Sequence, residues 1–340
     1  MTDKFPLFSL PYVALNEVLN HVRPEATLSL SLCSKRSILF VKGCQGPQKE
    51  ININLNIPQN VLRVDFDLII SVNPVSILRT NLKTVNFGSH VVPVKMKDGI
   101  LQTFWLDEKE GLKEVIKYTS DVFNRELYSI SAYGGVSFND VRDWLQWIKI
   151  RQHTLRELFL FSEVKVDDDL IPYILESGIV TGDLDLSTSR SSEFRGPAPR
   201  PYSIDHLNLL PSKWVTLNHL LAMDIKEIVL QYSPLTCQEM NVFLKKWING
   251  ECSKRIKVLH VGRNNANYDV LMEGIEVNGR DPRLRRVYAA SYNGVEHIFG
   301  GFDIRRKEDG ALATIVNQQH GMLTELKVVF WPDCKGNPYY

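Results

Sequence analysis

The chain has 340 residues, of which 44% are hydrophobic and 23% charged, and its net charge is +1. That is the composition of an ordinary soluble globular protein. A charge so near zero gives no bulk attraction to nucleic acid or acidic lipid. No apolar run reaches the roughly 18 residues of a membrane-spanning helix, and Asp3 with the early prolines interrupts what a signal peptide would need. The five cysteines, Cys33, Cys44, Cys237, Cys252 and Cys334, are scattered and form no Cys-x-x-Cys, as expected of a reduced cytoplasmic or nuclear protein. At this length more than one domain is expected.

At the N-terminus, Leu15, Val18, Leu19 and Val22 fall on one face of a helix. Ser9 suits its N-cap and Pro11 its first turn, while Pro24 should stop it near Val22. Leu28, Leu32, Ile38, Leu39 and Val41 supply two further short apolar stretches, although Leu28 to Leu32 also alternates like a strand. The segment therefore predicts a three-helix unit. Units this small rarely stand alone. Phe5, Leu7, Phe8, Leu10 and Pro11 lie outside the helix stripe, so they either dock a partner or pack onto the rest of the same chain.

Leu10-Pro11, Leu15, Val18-Leu19, Pro24, Leu28, Leu32-Cys33 and Ser34-Lys35-Arg36 together resemble an F-box. The run from Phe5 to Lys42 is similar to the F-box of a large nematode-expanded family. The resemblance implies an F-box over residues 4–45. It also implies that Leu7, Leu10, Pro11, Leu15, Val18, Leu19, Leu28 and Leu32 dock the Skp-type adaptor of an SCF ubiquitin ligase with its cullin. The chain departs from the pattern in lacking a tryptophan soon after Lys35-Arg36; the first Trp is Trp105.

Residues 44–49 read as a short linker, and residues 51–104 as extended chain with a hairpin turn at Asp98-Gly99. A diverged repeat follows. The first unit has a strand at Glu126 to Ile130, a capping box from Ser137 to Asp140, and a helix face of Val141, Trp144, Leu145 and Ile148, then a strand from Leu155 to Leu160. The second has a strand at Lys226 to Leu230, a box from Thr236 to Glu239, and a face of Met240, Phe243, Leu244 and Trp247, then a strand from Ile256 to Val261. The two N-caps stand 99 residues apart. With short strands at Leu184 to Leu186 and Leu207 to Leu209 and a helix over 168–176 stopped by Gly178, the spacing predicts an α/β fold. Its core would be an irregular leucine-rich-repeat-like solenoid of strands and helices. Ser187 to Pro201 is a polar, proline-rich loop. From Leu284 the pattern becomes antiparallel, with strands over 285–291, 296–306, 311–317 and 325–331 and turns at Asn293-Gly294 and Asp309-Gly310; this sheet could cap one end of the solenoid.

Trp214 to Leu221, Leu235-Thr236 and Asn241 to Gly250 resemble the type 2 F-box-associated domain, its motif spanning about 205–275. The Gly300 to Arg306 run with Asp309-Gly310 is also similar to the C-terminal part of such proteins. The resemblance implies that residues 50–340 are a substrate-recognition region.

No nucleophile elbow, Walker A, Gly-x-Gly-x-x-Gly or His/Cys metal pair is present, so neither catalytic residues nor a cofactor or metal are expected. The cysteines are expected to be buried and structural. Asp167-Asp168-Asp169 either binds a metal or favours the positive end of the following helix. Arg280, Arg283, Arg285, Arg286, Arg305, Arg306 and Lys307 form a basic concentration, suited to phosphate or an acidic degron, or else a solvated sheet face. Trp144, Trp147 and Trp247 are expected in the core. Candidate target contacts are the polar strand positions Arg156, Glu157, Lys226, Glu227 and Lys257, with Arg305 and Arg306. The expected function is substrate recognition for an SCF-type ubiquitin ligase. The alternative is a protein-interaction scaffold with no ubiquitin role.

Overall fold

The computed structural model describes residues 7–44, 51–77, 82–162, 168–188, 193–263, 267–290, 294–320 and 323–331. Phe5, the linker beyond Cys44, Asp167, Ser189 to Ser192, Asn293 and Cys334 lie outside these residues. The chain forms two compact units, Met1–Val136 and Ser137–Tyr340, both mixing helices and strands.

In the first unit a short turn of 3-10 helix, Leu7–Ser9, precedes α1 (Tyr12–His21), α2 (Pro24–Cys33) and α3 (Lys35–Cys44). The N-cap of α1 is Pro11 and not Ser9, because Ser9 ends the preceding turn and the first helical bond runs from Leu15 N–H to Pro11 C=O. Leu28 to Leu32 is helical despite its alternation. The hydroxyls of Thr27, Ser29 and Ser31 bond back to carbonyls three or four residues earlier, which lets α2 accommodate them. Leu15, Leu19 and Cys44 form the centre of this bundle, flanked by Leu7, Phe8, Leu10, Leu30 and Phe40. Phe8 stacks on Phe40 at 5.2 Å, an aromatic pair that ties the first turn to α3.

Seven strands make the sheet of this unit: β1 (Ile53–Asn56), β2 (Val61–Val64), β3 (Leu68–Pro74), β4 (Lys83–Phe87), β5 (His90–Lys97), β6 (Ile100–Trp105) and β7 (Leu127–Tyr133). They lie in the order β7-β1-β2-β3-β6-β5-β4, with β1/β7 and β3/β6 parallel and the other pairs antiparallel. Asp98 and Gly99 both take positive φ, as the predicted two-residue hairpin requires. Between β6 and β7 runs α4 (Glu108–Phe123), capped by Asp107 at its start and by left-handed Asn124 at its end. The three N-terminal helices rest partly on it: the Tyr118 hydroxyl donates to Ser31 Oγ at 3.1 Å, and Lys42 pairs with Asp121 at 3.0 Å. The bundle thus packs onto its own chain through α2 and α3.

The second unit opens with α5 (Phe138–Arg151) and continues as β8 (Leu155–Ser162), α6 (Leu170–Ser177), β9 (Val180–Thr188), β10 (His206–Leu210), α7 (Leu217–Ala222), β11 (Glu227–Leu230), α8 (Cys237–Ile248) and β12 (Val258–Arg263). Strands β8 to β12 are all parallel and neighbour one another in chain order. Leu158, Leu184, Leu207, Ile228 and Leu259 stand side by side across them, none more than 1% exposed. The predicted faces of α5 and α8 are buried, and Trp147 is half-buried against Trp144. Thr236 and Glu239 form the reciprocal capping box of α8; Ser137 Oγ accepts from the Asp140 N–H at the start of α5.

A short α9 (Tyr268–Leu271) and β13 (Asn278–Gly279) lead to β14 (Arg285–Ala290), β15 (Gly294–Phe299), β16 (Phe302–Arg305), β17 (Leu312–His320) and β18 (Leu323–Phe330). Beyond β12 the sheet continues antiparallel as β18-β17-β16-β13. The strand expected over 296–306 is broken at Gly300-Gly301, both at positive φ. A Cβ on Gly301 would sit 2.7 Å from the Ile315 carbonyl oxygen, so only glycine allows the close approach. The break frees β14 and β15 as a separate hairpin, whose Tyr288 and Ile298 pack with Val258, Val316, Val329 and Trp331.

Candidate target-binding surface

Parallel strands place all their starting ends on one edge, and in the second unit that edge is charged. Asp205, Lys226 and Lys257 immediately precede β10, β11 and β12, joined by backbone bonds from Lys226 N–H to Asp205 C=O and from Lys257 N–H to Lys226 C=O. Three cations converge on Asp205: Arg156 at 2.8 Å, Lys226 at 2.7 Å and Arg255 at 3.1 Å. Arg156 reaches it by lying across Gly182, where a Cβ would meet its Nε at 2.5 Å. Burial alone would raise the Asp205 carboxyl, but the hydrogen bonds and charges of Lys226 and Arg156 outweigh it and leave it below the ordinary carboxylate range. Arg255 also holds Asp224, whose carboxyl is lowered chiefly by the Ser253 hydroxyl.

From this edge a groove of about 290 Å³ runs between Lys226, Lys257, Arg306 and Trp331. It brings together three candidates far apart in sequence. Arg306 is its wall rather than a free contact: the guanidinium forks onto Asp309 at 2.9 and 2.7 Å and lies over the Trp247 ring. That fork holds the Asp309 carboxyl well below its usual range. On the other side of Arg306 a larger groove of about 560 Å³ is lined by Lys245, Arg305 and Lys307. Arg305 is exposed there, as a target contact would need.

Glu157 and Glu227 are not on this edge. They stand in one cross-strand row, Glu157, Asp183, His206, Glu227, on the sheet face opposite the leucines. Glu227 is only 5% exposed; its neighbour Val258 lies under the β14–β15 hairpin, so as an accessible contact it is corrected. Burial raises the Asp183 and Asp185 carboxyls and lowers the His206 imidazole in this row and its neighbour. The rest of the basic concentration is largely consumed internally. Arg286 and Arg280 hold buried Asp303, and Arg283 pairs with Asp281. Lys327, 1% exposed, pairs with Glu296 beneath the hairpin.

In the first unit, Leu15, Leu19 and Leu28 are interior, which corrects them as free docking contacts: they fill the space between helices. Pro11 and Val18 are exposed, with Tyr12, Val13 and Leu39 beside them in sequence or on α3, and Leu7, Leu10 and Leu32 are half-buried. Cys33 is exposed, against expectation, while Cys44 and Cys237 are buried and burial pushes the Cys252 thiol up to about 11. Among the described residues no group of three or more His, Cys, Asp or Glu could hold a metal ion, and no helix is long and apolar enough to cross a membrane.

A family model described as F-box associated matches residues 201–261. This segment is therefore similar to an F-box associated domain. The matched segment spans β10, α7, β11, α8 and the start of β12, so it includes Asp205, Lys226, Arg255 and Lys257 of the charged edge. The tryptophan near its start, Trp214, is structural. Trp214 packs edge-on to His219 and Phe194, and His219 Nε2 donates to the Pro197 carbonyl while its Nδ1 accepts from Thr216 N–H. That makes a capping box for α7 with histidine in the third position, a variant that a search for Glu or Gln passes over. The chain is also 22% identical to the uncharacterized protein F59B2.8 of Caenorhabditis elegans, over 98% of this chain and 79% of that protein. It is 23% identical to the Skn-1 dependent zygotic transcript 15 protein of the same organism, over 92% of this chain and 93% of that one. Identity to the C. elegans E3 ubiquitin-protein ligase hecw-1 is 19%, over 82% of this chain and 24% of the ligase. No solved structure gives a significant match.

Proposed function

We propose that the protein is a substrate-recognition adaptor of an SCF-type ubiquitin ligase, with no catalytic chemistry of its own. The observation that carries this reading is the F-box associated domain at residues 201–261, in the same chain as an N-terminal three-helix bundle with exposed apolar side chains. In this reading the bundle, residues 4–45, docks a Skp-type adaptor through Leu10, Pro11 and Val18, and the adaptor brings the cullin. Leu7 and Leu32 contribute at its margin. The region over 50–340 holds a target protein along the charged edge, with Arg156, Lys226 and Lys257 as contacts, and through Arg305 in the adjoining groove. Five parallel strands in chain order, with helices between all of them but β9 and β10, support a leucine-rich-repeat-like stack as the scaffold. Holding a target beside the conjugating machinery raises its effective concentration there, and that proximity is the contribution of this chain. Its place is the cytoplasm or nucleus.

The test is co-purification of the full chain from cells. A Skp-type adaptor and a cullin in stoichiometric amount support the reading. Recovery of target proteins without either would leave a scaffold with no ubiquitin role.

A further inference from the structure

We propose that the larger groove beside Arg306 binds a short acidic peptide segment, the part of the target protein that this chain recognises; the inference rests on the target-capture reading above. The groove, about 560 Å³, is closed by the end of α8, the segment after α9 and the end of β16. A space of that size takes several side chains, more than a single small anion would fill.

Three cations line it with their charge uncompensated by carboxylates. Lys245 makes no ion pair among the described residues. Lys307 Nζ donates to the amide oxygen of Asn249 at 2.9 Å, and Arg305 reaches only the Gly310 carbonyl at 3.4 Å. All of these acceptors are neutral, so the full charges remain for an anion from outside. Arg306 differs, since Asp309 neutralises it and Trp247 fixes it as the floor. The single carboxylate in the lining, Glu276, is exposed and makes no ion pair among the described residues.

The end of a helix carries partial negative charge, which would oppose an anion. Here it is blunted, because the Ile248 carbonyl accepts from Lys307 N–H at 2.8 Å and the Lys245 carbonyl from Asn249 N–H at 3.1 Å. Ile248 and Ile275, both half-buried, add apolar wall between the cations. The lining thus matches a peptide that alternates carboxylates with an apolar side chain.

The experiment is fluorescence anisotropy of the full chain with a fluorescein-labelled hexapeptide in which leucines separate glutamate pairs. Saturable binding is expected, weakening as salt rises. Lys245→Gln with Lys307→Gln should lower affinity about tenfold or more, since charge-assisted bonds are lost. Lys213→Gln, an exposed lysine elsewhere in the same unit, should leave it unchanged. The glutamine variants keep the aliphatic stems, and unchanged thermal unfolding will show that both remain folded. Equal binding by the double variant, binding of a lysine-for-glutamate peptide, or binding only after phosphoserine replaces glutamate would each overturn the inference. If the chain recruits a Skp-type adaptor yet ignores the peptide, the groove assignment fails and the ligase reading stands. Peptide binding without adaptor recruitment gives the reverse.

Discussion

Arg306 lies over Trp247 with its guanidinium carbon 5.3 Å from the ring centroid, and the same guanidinium grips Asp309 through two hydrogen bonds. The pair divides the surface into two grooves and ties the end of α8 to β16. A substitution at either residue therefore tests how the surface is built, apart from what it binds.

Trp247→Ala should destabilise the second unit by about 3–5 kcal/mol, the usual loss for a buried tryptophan. Arg306→Ala should lose roughly 1–2 kcal/mol of stacking and packing. In a double-mutant cycle the two losses should sum to more than the loss in the double variant. Additive losses in urea unfolding would mean that the ring and the guanidinium are not coupled.

The capping box of α8 gives a smaller, sharper signal. Thr236→Ala removes the oxygen that accepts the Glu239 N–H and should lower stability by about 0.5–2 kcal/mol. Thr236→Ser should restore most of it. An alanine variant as stable as the wild type would count against the cap.

Leu15→Ala and Leu19→Ala should each destabilise the N-terminal bundle by about 2–5 kcal/mol, because both side chains are interior. Val13→Ala and Val18→Ala should stay within about 0.5 kcal/mol, as exposed substitutions do. Unfolding followed by the Phe8–Phe40 environment separates the two classes.

The strand row predicts an acid sensitivity. His206 is held neutral by burial, so its folded value lies below its unfolded value of about 6.5. The unfolded chain then binds the extra proton first as pH falls, and stability is lost below that value by up to about 1.4 kcal/mol per pH unit. Asp183 and Asp185, raised by burial, act in the opposite sense as pH falls toward their folded values. Between about pH 7 and pH 5.5 the wild type should therefore lose more stability than His206→Gln. Parallel pH curves would show that His206 does not titrate differently in the two states.

Much of the architecture was legible in the sequence. The caps at Ser137 and Thr236, the Asp98-Gly99 turn and the α8 face follow from local rules, because spacing alone satisfies orphan N–H groups and buries one face. Helix α4 carries the same signals, with Asp107 three residues before Glu110 and Leu112, Val115, Ile116 and Val122 on one face, and is equally legible in the sequence. Long-range pairing is not legible. Asp205 gathers cations from 49, 21 and 50 residues away, and a linear chain does not show that Trp247 lies under Arg306. The docking role that the resemblance implies for Leu15 and Leu19 meets a related limit: a helix stripe says which residues are buried, but not whether a partner or the chain itself buries them.

The most direct test of the central claim is binding of a purified Skp-type adaptor to the full chain, measured by calorimetry. The wild type should form a one-to-one complex. Val13→Asp with Val18→Asp, a variant whose changes sit on exposed α1 positions and leave unfolding unaltered, should lose it. An unbound wild type, or a folded double variant that binds as tightly as the wild type, would contradict it.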